Sequence, residues 1–295
     1  MIYCFAMNYD GDIIRPPSEA NSIIIQATVG CSHNRCTFCG AYKNKTFRIR
    51  SEEEVLENLA FAASYCMQQK RVFLADGDAL ILSQKRLLKL FTQIKKFLPQ
   101  VRRVATYGNA KAIRSKSIEE LVELKNQGLH RIYMGLESGD NKVLAAINKG
   151  ESSESMIAAA QRVKKAGIFL SVTVLLGLGG SKRSLQHARE SGLVLSKMQP
   201  KQIAALCLMP LANTSLGKSW EAGEFQLPDS HGMLLELREL VKTIDCNPVQ
   251  FMANHASNYL PLSGRLTRDR AAMLETIEQA LLGNQELVPE QFRAL

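Results

Sequence analysis

Six short β-rich runs, separated by longer segments of helical spacing, constrain this chain more than any other feature. They fall at 22–30 (SIIIQATVG), 71–77 (RVFLADG), 101–109 (VRRVATYGN), 131–137 (RIYMGLE), 169–177 (FLSVTVLLG) and 202–210 (QIAALCLMP). The segments between them carry helix signals. The stretch 51–69 opens on a capping Ser51 and three glutamates, and the stretch before Gly128 ends where a glycine can close a helix. Strands that alternate with helices join into βαβ units of a parallel sheet with right-handed crossovers. Such units build either a partial barrel or a doubly wound sheet. The strand ends DGD, YGN, LESGD, GLGG and MPLANT are polar and mostly glycine-bearing, which favours a barrel, where these ends share the face that builds active sites. The expected fold is therefore α/β, a partial (β/α)6 TIM-type barrel over residues 21–218. An N-terminal arm (1–20) precedes it, and an α-rich C-terminal extension (219–295) covers one end of it.

Composition excludes some classes. At 295 residues, 46% hydrophobic and 22% charged, without low-complexity tracts or tandem repeats, the chain reads as an ordinary globular protein. Its start lacks a basic residue group followed by a long apolar run, so no signal peptide is expected. The most apolar stretch, IFLSVTVLLGLGG, is broken by Ser171 and Thr173 and is too short to span a bilayer. A cytoplasmic protein without a membrane partner is expected. The net charge of +9 is spread along the chain, and its densest groups, QIKKFLPQVRR and RVKKAG, read as solvated helix faces.

Of seven cysteines, Cys4, Cys66, Cys207 and Cys246 are scattered and read as small buried hydrophobes. The other three, Cys31, Cys36 and Cys39, share the loop VGCSHNRCTFCGAY after the first strand. A structural zinc site wants four closed ligands, and only His33 is at hand as the fourth. An iron–sulfur cubane held by three thiols keeps one iron open to an outside ligand, which is what a catalytic cluster requires.

This loop resembles the cluster loop of the radical S-adenosylmethionine (SAM) superfamily. The usual spacing there is CxxxCxxC with an aromatic residue before the last cysteine. Here Phe38 takes the aromatic place, and the first gap is one residue longer. Further stretches match in order. DGDAL (76–80) resembles the segment that holds the methionine amino group, through the Gly77 backbone and the Asp78 carboxylate. IYMGLESGDNKVLAAINKG is similar to the sequence of the oxygen-independent coproporphyrinogen oxidase, Elongator catalytic subunit and methylthiotransferase type. Within it, Glu137 takes the polar strand-end position, and Lys149 stands where a basic residue pairs with the SAM carboxylate. VTVLLGLGG resembles the fifth-strand region, with Thr173 toward the ribose, and CLMPLANTSL the sixth-strand segment along the adenine, with Met209. Tyr42 and Asn109 complete the cofactor contacts that the resemblance implies.

The resemblance, which covers about residues 20–218, implies a [4Fe–4S] cluster on the three cysteines and SAM as cosubstrate. It also implies reductive cleavage to a 5′-deoxyadenosyl radical that removes hydrogen from a substrate. A low-potential flavodoxin- or ferredoxin-type protein is the expected electron donor. The substrate class is open: an anionic small molecule such as a tetrapyrrole-like metabolite is expected. Alternatives are radical modification of RNA and a non-catalytic haem or cofactor carrier on the same scaffold. With no second cysteine motif, an auxiliary cluster is not expected. In the tail, FMANHASNYLPL sets polar residues between apolar anchors. His255 is the candidate for proton transfer, with Ser257 and Asn258 expected against the substrate; the alternative is that His255 satisfies a helix end or a buried carbonyl.

Overall fold

The structure is a computed structural model and describes residues 7–294; Cys4 lies outside them. Two compact units share the chain. The first comprises residues through 34, 41–133 and 165–169, and the second comprises 35–40, 134–164 and 170 onward.

The first unit holds β1 (Ile23–Gln26), β2 (Thr28–Val29), β3 (Arg48–Ile49), α1 (Glu52–Tyr65), β4 (Arg71–Ala75) and α2 (Gln84–Phe97). After these come β5 (Arg103–Tyr107), α3 (Ala110–Arg114), α4 (Ile118–Gln127) and the start of β6 (Leu129–Glu137). Ser51 and Ser117 cap α1 and α4 in full capping boxes with Glu54 and Glu120, and Gly128 closes α4 at φ 120°. Helix α2 buries Leu87, Leu90, Phe91 and Ile94, an apolar stripe at the i, i+3, i+4, i+7 spacing. Parallel pairing joins β1 to β4, β4 to β5 and β5 to β6. The expected strand 22–30 is broken at Ala27, whose N–H turns to Ala75 O, so that Thr28–Val29 pairs antiparallel with β3 and leads into the cysteine loop. One sheet face gathers Ile24, Phe73, Ala75, Ala105 and Tyr133, and the N-terminal arm covers it with Tyr9 and Ile13. The Tyr9 hydroxyl donates to Ile24 O at 3.1 Å.

The second unit continues β6 and adds α5 (Asn141–Ala146), α6 (Ser153–Lys165), β7 (Phe169–Leu176), α7 (Gly180–Met198) and β8 (Gln202–Cys207). Beyond these lie α8 (Ser215–Glu221), α9 (Ser230–Thr243), β9 (Gln250–Ala253), β10 (Leu262–Arg265) and α10 (Leu266–Leu281). The strand order is β1-β4-β5-β6-β7-β8-β9-β10, so the six expected strands follow one another in sequence order, as βαβ winding requires. The C-terminal extension is richer in strand than expected: β9 adds to β8 in parallel and β10 returns antiparallel. An exposed β8 edge would leave its backbone groups unpaired. The alternation in β9, with Phe251 and Ala253 buried and Gln250 exposed, suits a strand with one covered face. No helix among the described residues is long and apolar enough to cross a membrane.

Candidate active site

The cysteine loop runs from the first unit into the second, Cys31 belonging to the former and Cys36 and Cys39 to the latter. All three are half-buried, and none of them forms a disulfide among the described residues. Among the described residues no three His, Cys, Asp or Glu side chains gather as ligands of a single metal ion.

In the first unit the loop is braced from the ends of β4 and β5. Gly30, at φ 72°, donates its N–H to Asp76 Oδ2 at 3.1 Å, and Gln26 Nε2 donates to the same oxygen at 3.1 Å. Gly77 N donates to Gly30 O at 3.1 Å, which draws the two backbones together. A Cβ on Gly77 would lie 2.9 Å from Tyr42 Cε2 and 3.1 Å from Cys31 Cβ. Only glycine fits this cradle. Asp78 is fully buried, and its Oδ2 accepts from Ser32 Oγ and from Asn109 Nδ2, each at 2.6 Å. Its Oδ1 receives a long 3.4 Å contact from Asn109 N. Burial pushes the Asp78 carboxyl up to about 6, against the three contacts from Ser32 and Asn109 and the nearby Lys116 ammonium, which favour the anion. Asn109 also caps α3 by accepting from Ala112 N at 2.8 Å. Asp78 and Asn109 thus hold Ser32, the residue after Cys31. Neither Ser32 nor Asp76 stood out in the sequence, because both roles arise from contacts 46 residues apart.

In the second unit the C-terminal half of the loop is pinned by backbone. Thr37 N donates to Ile147 O and Thr37 O accepts from Leu216 N, both at 2.9 Å, while Asn213 Nδ2 reaches Gly40 O at 3.3 Å. Glu137 ends β6 in the left-handed region at φ 62°, and its Oε1 meets Lys149 Nζ at 3.0 Å. A Cβ on Gly135 would overlap that same oxygen, so the absence of a side chain at Gly135 makes room for the Glu137–Lys149 pair, a role that the motifs did not single out. Thr173 lies half-buried on β7 opposite Ala204. Met209, just past β8, and Phe38 are also half-buried.

The tail residues are built into the second unit. His255 Nδ1 accepts the Ser257 N–H at 3.1 Å and meets Ser257 Oγ at 2.9 Å. An accepting Nδ1 leaves the proton of the neutral ring on Nε2, so that edge donates. Ser257, expected against the substrate, is fully buried by this turn. Asn258, also expected there, is buried and donates Nδ2 to Ala205 O at 2.9 Å, while its Oδ1 has no partner. Burial lowers the His255 pKa below its ordinary 6.5. A histidine with a depressed folded pKa contributes stability above its unfolded pKa and loses it as pH falls. Wild-type stability should therefore decline below about pH 6.5 with a steeper slope than that of His255→Gln, in urea titrations across pH. Parallel pH profiles would remove His255 as the cause.

The Radical SAM superfamily model matches residues 25–191, more than half of the chain. The chain belongs to the radical SAM superfamily. It is 27% identical over 164 residues to an uncharacterized methyltransferase of Pyrococcus horikoshii, covering 54% of this chain and 34% of that protein. Over 236 residues it is 22% identical to the heme chaperone HemW of Buchnera aphidicola, with 76% and 60% covered. The chain thus spans less than two thirds of either relative's length. The structure of coproporphyrinogen III oxidase (HemN) from Escherichia coli superposes with a TM-score of 0.56 at 14% identity, over 75% of this chain and 51% of that one, which shows a shared fold. Radical SAM proteins bind a [4Fe–4S] cluster and SAM.

The residues present fit that pair of groups. Thiols suit iron–sulfur ligation, and a cubane takes a separate thiol at each of three irons, so it does not need three ligands converged on one point. The Gly77 cradle keeps a backbone edge open beside Cys31. Gly77→Ala should close it, costing about 1–3 kcal/mol by overpacking and displacing the loop. Thermal unfolding together with iron content after reconstitution measures both effects. An alanine variant with wild-type iron content and melting temperature would show that the cradle is not needed.

Proposed function

We propose that this chain is a radical SAM enzyme acting on an anionic small molecule, a tetrapyrrole-like metabolite being one such type. Cys31, Cys36 and Cys39 hold the cluster. Once bound, cluster and SAM supply a 5′-deoxyadenosyl radical able to abstract hydrogen from an unactivated carbon. The observation that carries this reading is a loop of three cysteines whose first, Cys31, lies against Gly77, where there is no room for a Cβ.

The remaining roles follow from the family motifs. Lys149, oriented by Glu137, pairs with the SAM carboxylate as a charge-assisted hydrogen bond. Gly77 and the Asp78–Ser32–Asn109 group receive the ammonium end. Thr173 takes the ribose, Met209 the adenine, and Phe38 and Tyr42 pack around the cofactor. On the substrate side, the neutral His255 offers its Nε2–H and Asn258 its unpartnered Oδ1. A flavodoxin- or ferredoxin-type protein delivers the electron.

The deciding experiment is anaerobic incubation of the reconstituted, reduced protein with SAM. Release of 5′-deoxyadenosine and methionine is expected. A cluster-loaded protein that leaves SAM intact with every reductant would be a carrier, and the enzymatic reading would fail.

A further inference from the structure

The basic groups that read in sequence as scattered helix faces come together at one edge of the first unit. Strands β4, β5 and β6 are parallel, so their first residues share an end of the sheet. Arg71 opens β4, Arg103 opens β5 with Arg102 just before it, and His130 and Arg131 lie at the start of β6. The lead-in to β7 brings Lys165, and its first residue, Phe169, sits beneath the Arg131 guanidinium at 4.1 Å from the ring centre.

Register sharpens the pattern. Arg71 lies directly opposite Arg103, a like-charge pairing that costs stability in a sheet. Arg131 is opposite Ala105, two residues along from Arg103, and so projects from the same face. His130 has its pKa lowered by burial and by the Arg103 and Arg131 charges. Among the described residues no carboxylate forms an ion pair with any of these cations. The nearby Glu19 is buried and accepts from the Tyr133 and Ser22 hydroxyls.

An aromatic side chain stands beside this edge. Tyr65 ends α1 with 64% of its surface exposed. The next residue, Cys66, accepts from Gln100 Nε2 at 3.0 Å, which ties the Tyr65 turn to the lead-in of Arg102.

We infer that this strand-start edge binds the backbone of single-stranded RNA. Four adjacent strands set the cations across about 14 Å, wider than a single phosphate group. Planar guanidinium forks suit phosphate oxygens, and the one stacked on Phe169 is already oriented. A solvent-facing tyrosine beside a cationic track is the pairing that takes a base by stacking and its phosphates by charge. This surface lies at the strand starts, whereas the cysteine loop follows a strand end, so it docks RNA without depending on radical chemistry.

The test uses the full chain and a short fluorescein-labelled oligoribonucleotide, followed by anisotropy over a salt series. Arg102, Arg103 and Lys165 are exposed; their joint change to Glu should weaken binding at least tenfold near physiological salt. It should also flatten the log–log salt slope by about two, since each single-strand phosphate contact contributes roughly 0.7. Tyr65→Ala should cost about fivefold or more without changing that slope. A control with the same charge change elsewhere, Lys182, Arg189 and Lys218 to Glu, should retain most of the affinity. Equal loss in the control, unchanged binding in both the edge variant and Tyr65→Ala, or competition by polyglutamate as strong as by RNA would overturn the inference. The last of these outcomes would point to an acidic protein instead.

Discussion

Changing Cys31, Cys36 and Cys39 together to alanine is expected to leave the protein colourless after anaerobic reconstitution. Bound iron should fall from about four per chain to near zero, and SAM cleavage should fall with it, because in the proposed ligation each thiol serves a separate iron of the cubane. Replacing Cys66, Cys207 and Cys246 should leave colour and cleavage intact. Burial raises the thiol pKa of all three, to about 12 for Cys207 and about 11 for Cys246, so at neutral pH they stay protonated and are poor iron ligands. Iron analysis and the visible spectrum of the two triple variants decide the matter. A brown Cys31/Cys36/Cys39 variant beside a colourless variant of the other three would mean that the ligands are misassigned.

The largest stability effect is expected from Glu236→Ala on α9. Glu236 is fully buried, its Oε1 accepting Gly177 N–H at 2.7 Å and lying 3.2 Å from His187 Nε2, while its Oε2 accepts the Ser184 hydroxyl. His187 Nε2 also faces Leu175 O at 3.0 Å, so this edge carries the proton, and Nδ1 meets Ser138 Oγ at 2.8 Å. Removing the carboxylate strands two buried donors, the Gly177 N–H and the Ser184 hydroxyl, while His187 keeps Leu175 O, at a cost of about 2–5 kcal/mol. Glu236→Gln keeps an acceptor for Gly177 and should cost less than half of that. Urea midpoints with an unchanged m-value measure the difference. Because Ser138 follows Glu137, which is proposed to orient Lys149 for SAM, the alanine variant should also weaken SAM binding in the folded protein. A loss below about 1 kcal/mol would mean that water replaces the carboxylate and that the network carries little of the fold.

The order of strands and helices was legible from local signals. Ser51 and Ser117 announce their helices by capping chemistry, and the apolar stripe of α2 follows helical spacing. The cysteine loop was legible because its spacing is local too. The β9–β10 pair was not. Its residues resemble a loop between apolar anchors until β8 offers them an open edge. Nor could sequence show that Ser257 is buried against His255, or that Asn258 spends its amide nitrogen on Ala205 O.

What the sequence by itself determined is the set of properties that depend on neighbours along the chain: the alternation that dictates a parallel sheet, the helix caps and the three-thiol loop with its family motifs. Tertiary structure alone decided what depends on residues distant in sequence. It buried Asp78 between Ser32 and Asn109, folded Glu137 over Gly135 toward Lys149, and closed Glu236 onto His187. It also turned basic residues that sequence scatters into a single cationic edge, because parallel strands in register bring their starts together whatever the length of chain between them.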